Sequence, residues 1–241
     1  MNYVTLEKHE AERVAVMTLS YQKENRFHPD LLAEMAQTLD QVEADESLGA
    51  LVVTGADPKF FSNGLDLEWL MAHAGDVKAV LGYIRSVNAM FKRFTLYPKP
   101  VVAALNGHTF AAGVFMAAHM DFRFMREDRG WVCLPEVDIN IPLLPGMIAI
   151  CQAVMTAPGF RHLYYTGKRA TAPEAMAFGF VDAVFPGDQL LPKSIAFAAE
   201  LAQKRGDTSA EMKKRIRADI ARILDDVDPE HFASTLSFPM R

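Results

Sequence analysis

Apolar positions along the chain follow two rhythms. Short unbroken runs, Ala50–Thr54 (ALVVT) and Val101–Leu105 (VVAAL), read as strands buried on both faces. Longer stretches repeat every three or four residues and read as helices. In Pro29–Glu46 the residues Leu31, Leu32, Met35, Leu39 and Val42 form one stripe, and Pro29 suits a first helical turn. Asp76–Thr95 is a second such helix, closed by Tyr97-Pro98-Lys99-Pro100. Tyr3–Glu10 and Arg13–Leu19 have strand character and predict an opening hairpin. Ala111–His119 reads as helix and Asp121–Met125 as strand, and a helix is expected from Pro145 to Thr156. Thr171-Ala172-Pro173-Glu174 has capping-box spacing and opens a helix that ends at Gly179. Phe180–Phe185 then reads as strand and Gln189–Lys204 as helix. Ser209–Leu224 reads as an amphipathic stretch whose basic side (Lys213, Lys214, Arg215, Arg217) is expected to be a solvated face, with contacts to an anionic group as the alternative.

Strands alternating with helices predict an α/β fold with parallel pairing and right-handed crossovers. No internal repeat is visible in the sequence. Val101–Met120 and Ile139–Ala157 are apolar enough to suggest a membrane. Asn106-Gly107-His108 breaks the first, and Pro142, Pro145 and Gly146 break the second, short of the ~20 residues a spanning helix needs.

With 241 residues, 50% of them apolar and 23% charged, the chain is long enough for a large core and is neither disordered nor of low complexity. A net charge of −5 argues against a nucleic-acid partner, which needs clustered excess Lys and Arg. The two cysteines, Cys133 and Cys151, sit in apolar runs as small hydrophobes rather than as a disulfide. The N-terminus lacks an apolar signal segment, and the C-terminal SFPMR is not an SKL-type address. The expectation by elimination is a cytoplasmic protein.

Three turns that follow strands carry the candidate chemistry: Phe60–Leu67, Asn106–Gly113 and Leu134–Ile139. In α/β folds ligands bind at such turns. The first two place small residues before a helix, where free backbone N–H groups favour an anion. Gly and Ala at a turn also serve plain backbone geometry, so spacing alone leaves both readings open. G-x-G-x-x-G, Walker A, H-E-x-x-H, G-x-S-x-G and C-x-x-C are all lacking, which leaves nucleotide, zinc and serine-hydrolase readings unsupported.

The chain nevertheless resembles the crotonase (enoyl-CoA hydratase/isomerase) superfamily, from its first strand to about Lys204. Five blocks occur in the family's order: Phe61–Leu67; Pro100–His108 with Ala111-Ala112-Gly113 and Asp121; Leu134-Pro135-Glu136; Gly167–Ala175; and Gly179–Asp182. Arg26–Asp30, Phe60–Gly64 and Asp128-Arg129-Gly130 further resemble the plant-type Δ3,Δ2-enoyl-CoA isomerases. The resemblance implies the crotonase (ClpP-like) spiral of ββα units over residues 1–190 and a helical trimerisation region over 191–241. It also implies an acyl-CoA substrate in fatty-acid β-oxidation, no separate cofactor or metal, and a homotrimer or dimer of trimers with no membrane partner.

Carried over residue by residue, the enolate-stabilising donors are the N–H groups of Leu65 and Ala112, or Gly113 if the register shifts by one. Glu136 stands at the family's second glutamate. The first falls at Phe115, flanked by Val114 and Met116, so no carboxylate there can activate water. That disfavours hydration and suits a double-bond shift served by Glu136 alone, in an apolar pocket expected to include Phe115, Trp131 and Leu134. Asp138 is a secondary candidate, since two residues along an extended segment share a face. For CoA, Asn25, Arg26 and Phe27 are expected on one side of the cleft. Phe61, Ser62, Asn63, Gly64 and Leu65 are expected on the other, largely through backbone, with Asp66 as a helix cap. Arg26 is a candidate phosphate contact. His108 reads as a structural hydrogen-bonding residue and His28 as a packing or CoA-lining residue. Hydratase, thioesterase and decarboxylase reactions, or a non-catalytic acyl-CoA binder, remain as alternatives.

Overall fold

A computed structural model describes residues 2–236. The expected hairpin forms, with β1 (Val4–His9) antiparallel to β2 (Val14–Leu19). From β2 onward the main sheet is parallel, through β3 (Ala50–Gly55), β5 (Val101–Leu105), β7 (Phe122–Arg126) and β9 (Ala183–Phe185). Its order is β1-β2-β3-β5-β7-β9. The apolar runs are central because both faces are covered. Val14, Val16, Ala50, Val52, Val102 and Ala104 pack toward α8 (Gly187–Ala202). The alternating residues, among them Met17, Leu51, Val53 and Ala103, join the larger core with α1 (Pro29–Ala44), α3 (Val77–Thr95) and α4 (Ala112–His119).

A second, three-stranded sheet was hidden in the turns. It is made of β4 (Phe60–Ser62), β6 (His108–Phe110) and β8 (Val132–Cys133). Each follows one main-sheet strand and precedes a helical segment, so the ββα unit repeats although the sequence shows no repeat. This is the crotonase spiral. Asn106 ties two units together. Its Oδ1 accepts from Gly55 N, and its Nδ2 donates to Asp57 O.

Several boundaries move. The strand expected over 180–185 begins at Ala183. The helix expected from Pro145 to Thr156 forms as α5 (Pro145–Val154), and a helix the sequence reading did not include follows it, α6 (Ala157–Thr166), capped by Thr156 Oγ1, which accepts from Gly159 N. A boundary at residue 190 falls inside α8, which packs on the sheet. The basic side of α9 (Gly206–Ile216) is not solvated throughout. Lys213 Nζ reaches Asp121 at 2.6 Å and the carbonyls of Tyr97 and Lys99, and Arg217 donates to His119 O. Lys214 and Arg215 remain exposed. The chain then returns over α3 and α5 through α10 (Ala218–Arg222), a π turn (Ile223–Val227) and α11 (Asp228–Leu236). The C-terminal SFPMR, residues 237–241, lies outside the described residues. No helix among the described residues is long and apolar enough to cross a membrane.

Asp228 locks this return. It is fully buried, its Oδ1 accepts from Gly146 N at 2.8 Å, and its Oδ2 has no partner among the described residues. Burial pushes its carboxyl up to about 6. The folded state therefore holds this proton more tightly than the unfolded chain does. Stability from Asp228 is present at acid pH and is lost as pH rises from about 4 through 6. Asp228→Asn is expected to unfold at higher urea than wild type at pH 7.5, by ~1–3 kcal/mol. The difference should vanish near pH 4, and urea titrations at both pH values check it.

Candidate active site

Three turns of the spiral converge on one apolar cavity. Its empty volume, counted out to its open mouth, is about 940 Å³. Leu65, Phe115, Leu144 and Phe91 line it, with Ala111, Ala112 and Glu136.

The first turn leaves β4 and enters α2 (Leu67–Ala72). It is held by the segment 21–27. Asn25, with φ of +47°, accepts from Tyr21 N and donates to Phe61 O. Ser62 Oγ donates to Asn25 O and accepts from Gly64 N, and Phe27 N donates to Gly64 O at 2.7 Å. Asp66 caps α2, accepting from Trp69 N. Among the described residues Leu65 N has no acceptor.

The second turn joins β6 to α4. Ala111 has φ +52° and ψ −127°, a conformation an L-residue adopts at a cost of ~1–3 kcal/mol. Its own N–H donates to Cys133 O. As the first residue of α4, Ala112 has no intrahelical acceptor for its N–H. A Cβ built on Gly64 would lie 2.6 Å from Ala112 N. The glycine thus leaves room at that amide, and Leu65 and Ala112 both line the cavity. Gly113 packs its Cα against Ser62, where a Cβ would meet Ser62 O at 2.6 Å, so this position admits no side chain.

The third turn is a 3-10 turn, Pro135–Val137. It buries Glu136 to 8% exposure, and Glu136 Oε2 has no partner among the described residues. Burial pushes this carboxyl up to about 7, the range in which a group both takes and returns a proton.

The other expected residues divide. Asn63 and Phe115 line the cavity. Asn25, Phe27, Phe61 and Ser62 are buried frame, so only their backbone is left for a ligand. Arg26 is engaged by Glu24 and Glu68 at 2.6 and 2.7 Å, not free for a phosphate. Trp131 stacks on His108 and stays outside the cavity, and Leu134 is buried beside it without lining it. His28 caps α1, its Nδ1 accepting from Asp30 N. Asp138 does not share a face with Glu136. The segment is helical there, and Asp138 is exposed. Two residues were missed. Ala111 gave no signal, since its torsion is invisible in sequence. Asn88 did, as a polar residue on the apolar stripe Ile84–Phe91 of α3. Among the described residues no group of three His, Cys, Asp or Glu is placed to hold a metal.

A family model described as enoyl-CoA hydratase/isomerase matches residues 9–230. Enoyl-CoA delta isomerase 3 of Arabidopsis thaliana is 33% identical over 216 residues, covering 87% of this chain and 91% of that protein. Enoyl-CoA delta isomerase 2, peroxisomal, of the same plant is 33% identical over 218 residues, covering 87% and 90%. The crystal structure of human mitochondrial delta3-delta2-enoyl-CoA isomerase superposes with a TM-score of 0.89 at 25% identity, covering 98% of this chain and 92% of that one.

Proposed function

The chain belongs to the enoyl-CoA hydratase/isomerase family, and we propose that within it this protein is a Δ3,Δ2-enoyl-CoA isomerase using Glu136 as its single acid/base group. One observation carries the reading. Among the described residues lining the cavity, Glu136 is the only carboxylate. Phe115, buried and apolar, stands at the position where the resemblance puts the first of a hydratase's two glutamates.

The residues act as follows. The thioester oxygen of a 3-enoyl-CoA accepts from Leu65 N–H and Ala112 N–H. Glu136 takes a proton from C2, and the electrons of that C–H bond spread over C2–C4 and the thioester oxygen as a dienolate. Two amides aimed at that oxygen lower the barrier, each commonly worth ~10²–10³ in rate. Protonated Glu136 returns the proton to C4, and the double bond comes to rest between C2 and C3. The apolar wall keeps water from the dienolate and holds the acyl chain.

The rate should follow the ionisation of Glu136, because only the carboxylate can begin the reaction. kcat/KM is expected to fall about tenfold per pH unit below about 7 and to level off above it. The absorbance of the conjugated thioester, read across this range on trans-3-hexenoyl-CoA, checks it. Mass spectrometry of the same mixtures tests the reaction class. An unchanged mass supports isomerisation, a gain of one water means hydration, and free CoA means hydrolysis.

A further inference from the structure

Asn88 sits on the cavity wall formed by α3, at 9% exposure, among Ile84, Val87 and Phe91. Its amide cannot turn. Nδ2 donates to Leu224 O at 2.7 Å. That carbonyl lies in the π turn Ile223–Val227, where its i→i+5 partner would be Pro229, which has no N–H. Asp228 N, the i→i+4 donor, goes instead to Ile223 O. Asn88 thus supplies the donor the helix lacks, and flipping its amide would set two oxygens against each other. Its Oδ1 is left as a fixed acceptor without a partner among the described residues. Thr235 lines the same cavity from α11 and adds a hydroxyl. The rest of the wall here is apolar, with Met147 and Phe232 completing it.

We infer that this cavity takes acyl chains carrying a hydroxyl beyond the reacting carbons, with Asn88 Oδ1 accepting from it. A purely hydrocarbon chain leaves a buried carbonyl oxygen unpaired, which is the costly arrangement. A hydroxyl there gains a fixed acceptor and meets Thr235, which can donate to it in turn. The inference rests on the proposed function only in that the cavity receives an acyl-CoA chain.

Binding of saturated, unreactive CoA esters separates it from turnover. Octanoyl-CoA is compared by titration calorimetry with octanoyl-CoA esters hydroxylated at successive carbons beyond C4, on the full chain and on Asn88→Leu. At least one hydroxylated ester is expected to bind wild type about five- to a hundredfold more tightly than octanoyl-CoA. In Asn88→Leu the order should invert. Weaker binding of every hydroxylated ester to wild type overturns the inference and means that Asn88 Oδ1 keeps a resident water. Failure of octanoyl-CoA and all hydroxylated esters to bind overturns the acyl-CoA reading as well. Leucine also removes the donor from Leu224 O. Should that variant not fold, the wild-type series alone decides.

Discussion

Glu136→Gln is expected to lower kcat on trans-3-hexenoyl-CoA by about 10²–10⁴, the usual worth of a positioned acid/base group. KM should change little, because glutamine fills the same volume and the amides of Leu65 and Ala112 still hold the thioester. Stability should not suffer. Glu136 is a buried carboxyl pushed up to about 7, so folding at neutral pH holds an ionisable group in an unfavourable place. Removing the charge relieves that cost, which is largest above pH 7 and disappears well below it. The variant should therefore be slower yet no less stable, read as kcat by absorbance and as Tm by circular dichroism at pH 8. Full activity in the variant would remove Glu136 from the reaction and leave the cavity without a base.

The second large effect belongs to a residue with no side chain. Gly64→Ala places a methyl 2.6 Å from Ala112 N, inside contact distance and on the amide that is to receive the substrate oxygen. It also asks an L-residue to hold φ of +80°. The first effect should cost about 10²–10³ in kcat, the loss seen when one oxyanion donor is removed. The second should cost ~1–3 kcal/mol of stability. The two are separable. Urea unfolding gives the stability loss, and kcat measured well below the unfolding midpoint gives the blocked amide. A variant that is less stable but turns over at the wild-type rate would show that Ala112 N–H does not carry the enolate.

The large parallel sheet was legible because Ala50–Val53 and Val101–Leu105 are apolar at every position, as strands covered on both faces tend to be. The small sheet was not. β8 has two residues and β4 and β6 three each, too few for any period to show, and they lie among Gly and Asn that read as turn. The start of α6 was written in the chain all the same. Thr156-Ala157-Pro158 has the same start signal as Thr171-Ala172-Pro173, which was read correctly as a helix start. Glu136 was legible through the Pro-Glu block, but its 3-10 turn was not, and so Asp138 was placed on the wrong face. The basic side of α9 looked solvated because charge alone does not reveal that Asp121 waits beneath Lys213. Ala111 is the clearest limit. Nothing in an alanine tells that its neighbours will force it into a left-handed conformation.

The walls of the cavity come from chain positions as far apart as Asn63 and Phe232, brought together by parallel crossovers rather than by hairpins. Closing such loops costs entropy early and is repaid only when the distant segments meet. The site therefore has no smaller working version. A half-formed spiral holds one amide or the other but not both beside Glu136 under a closed roof. Catalytic competence in this protein is therefore expected to depend on the whole spiral, down to the return segment that supplies Phe232 and Thr235 to the cavity.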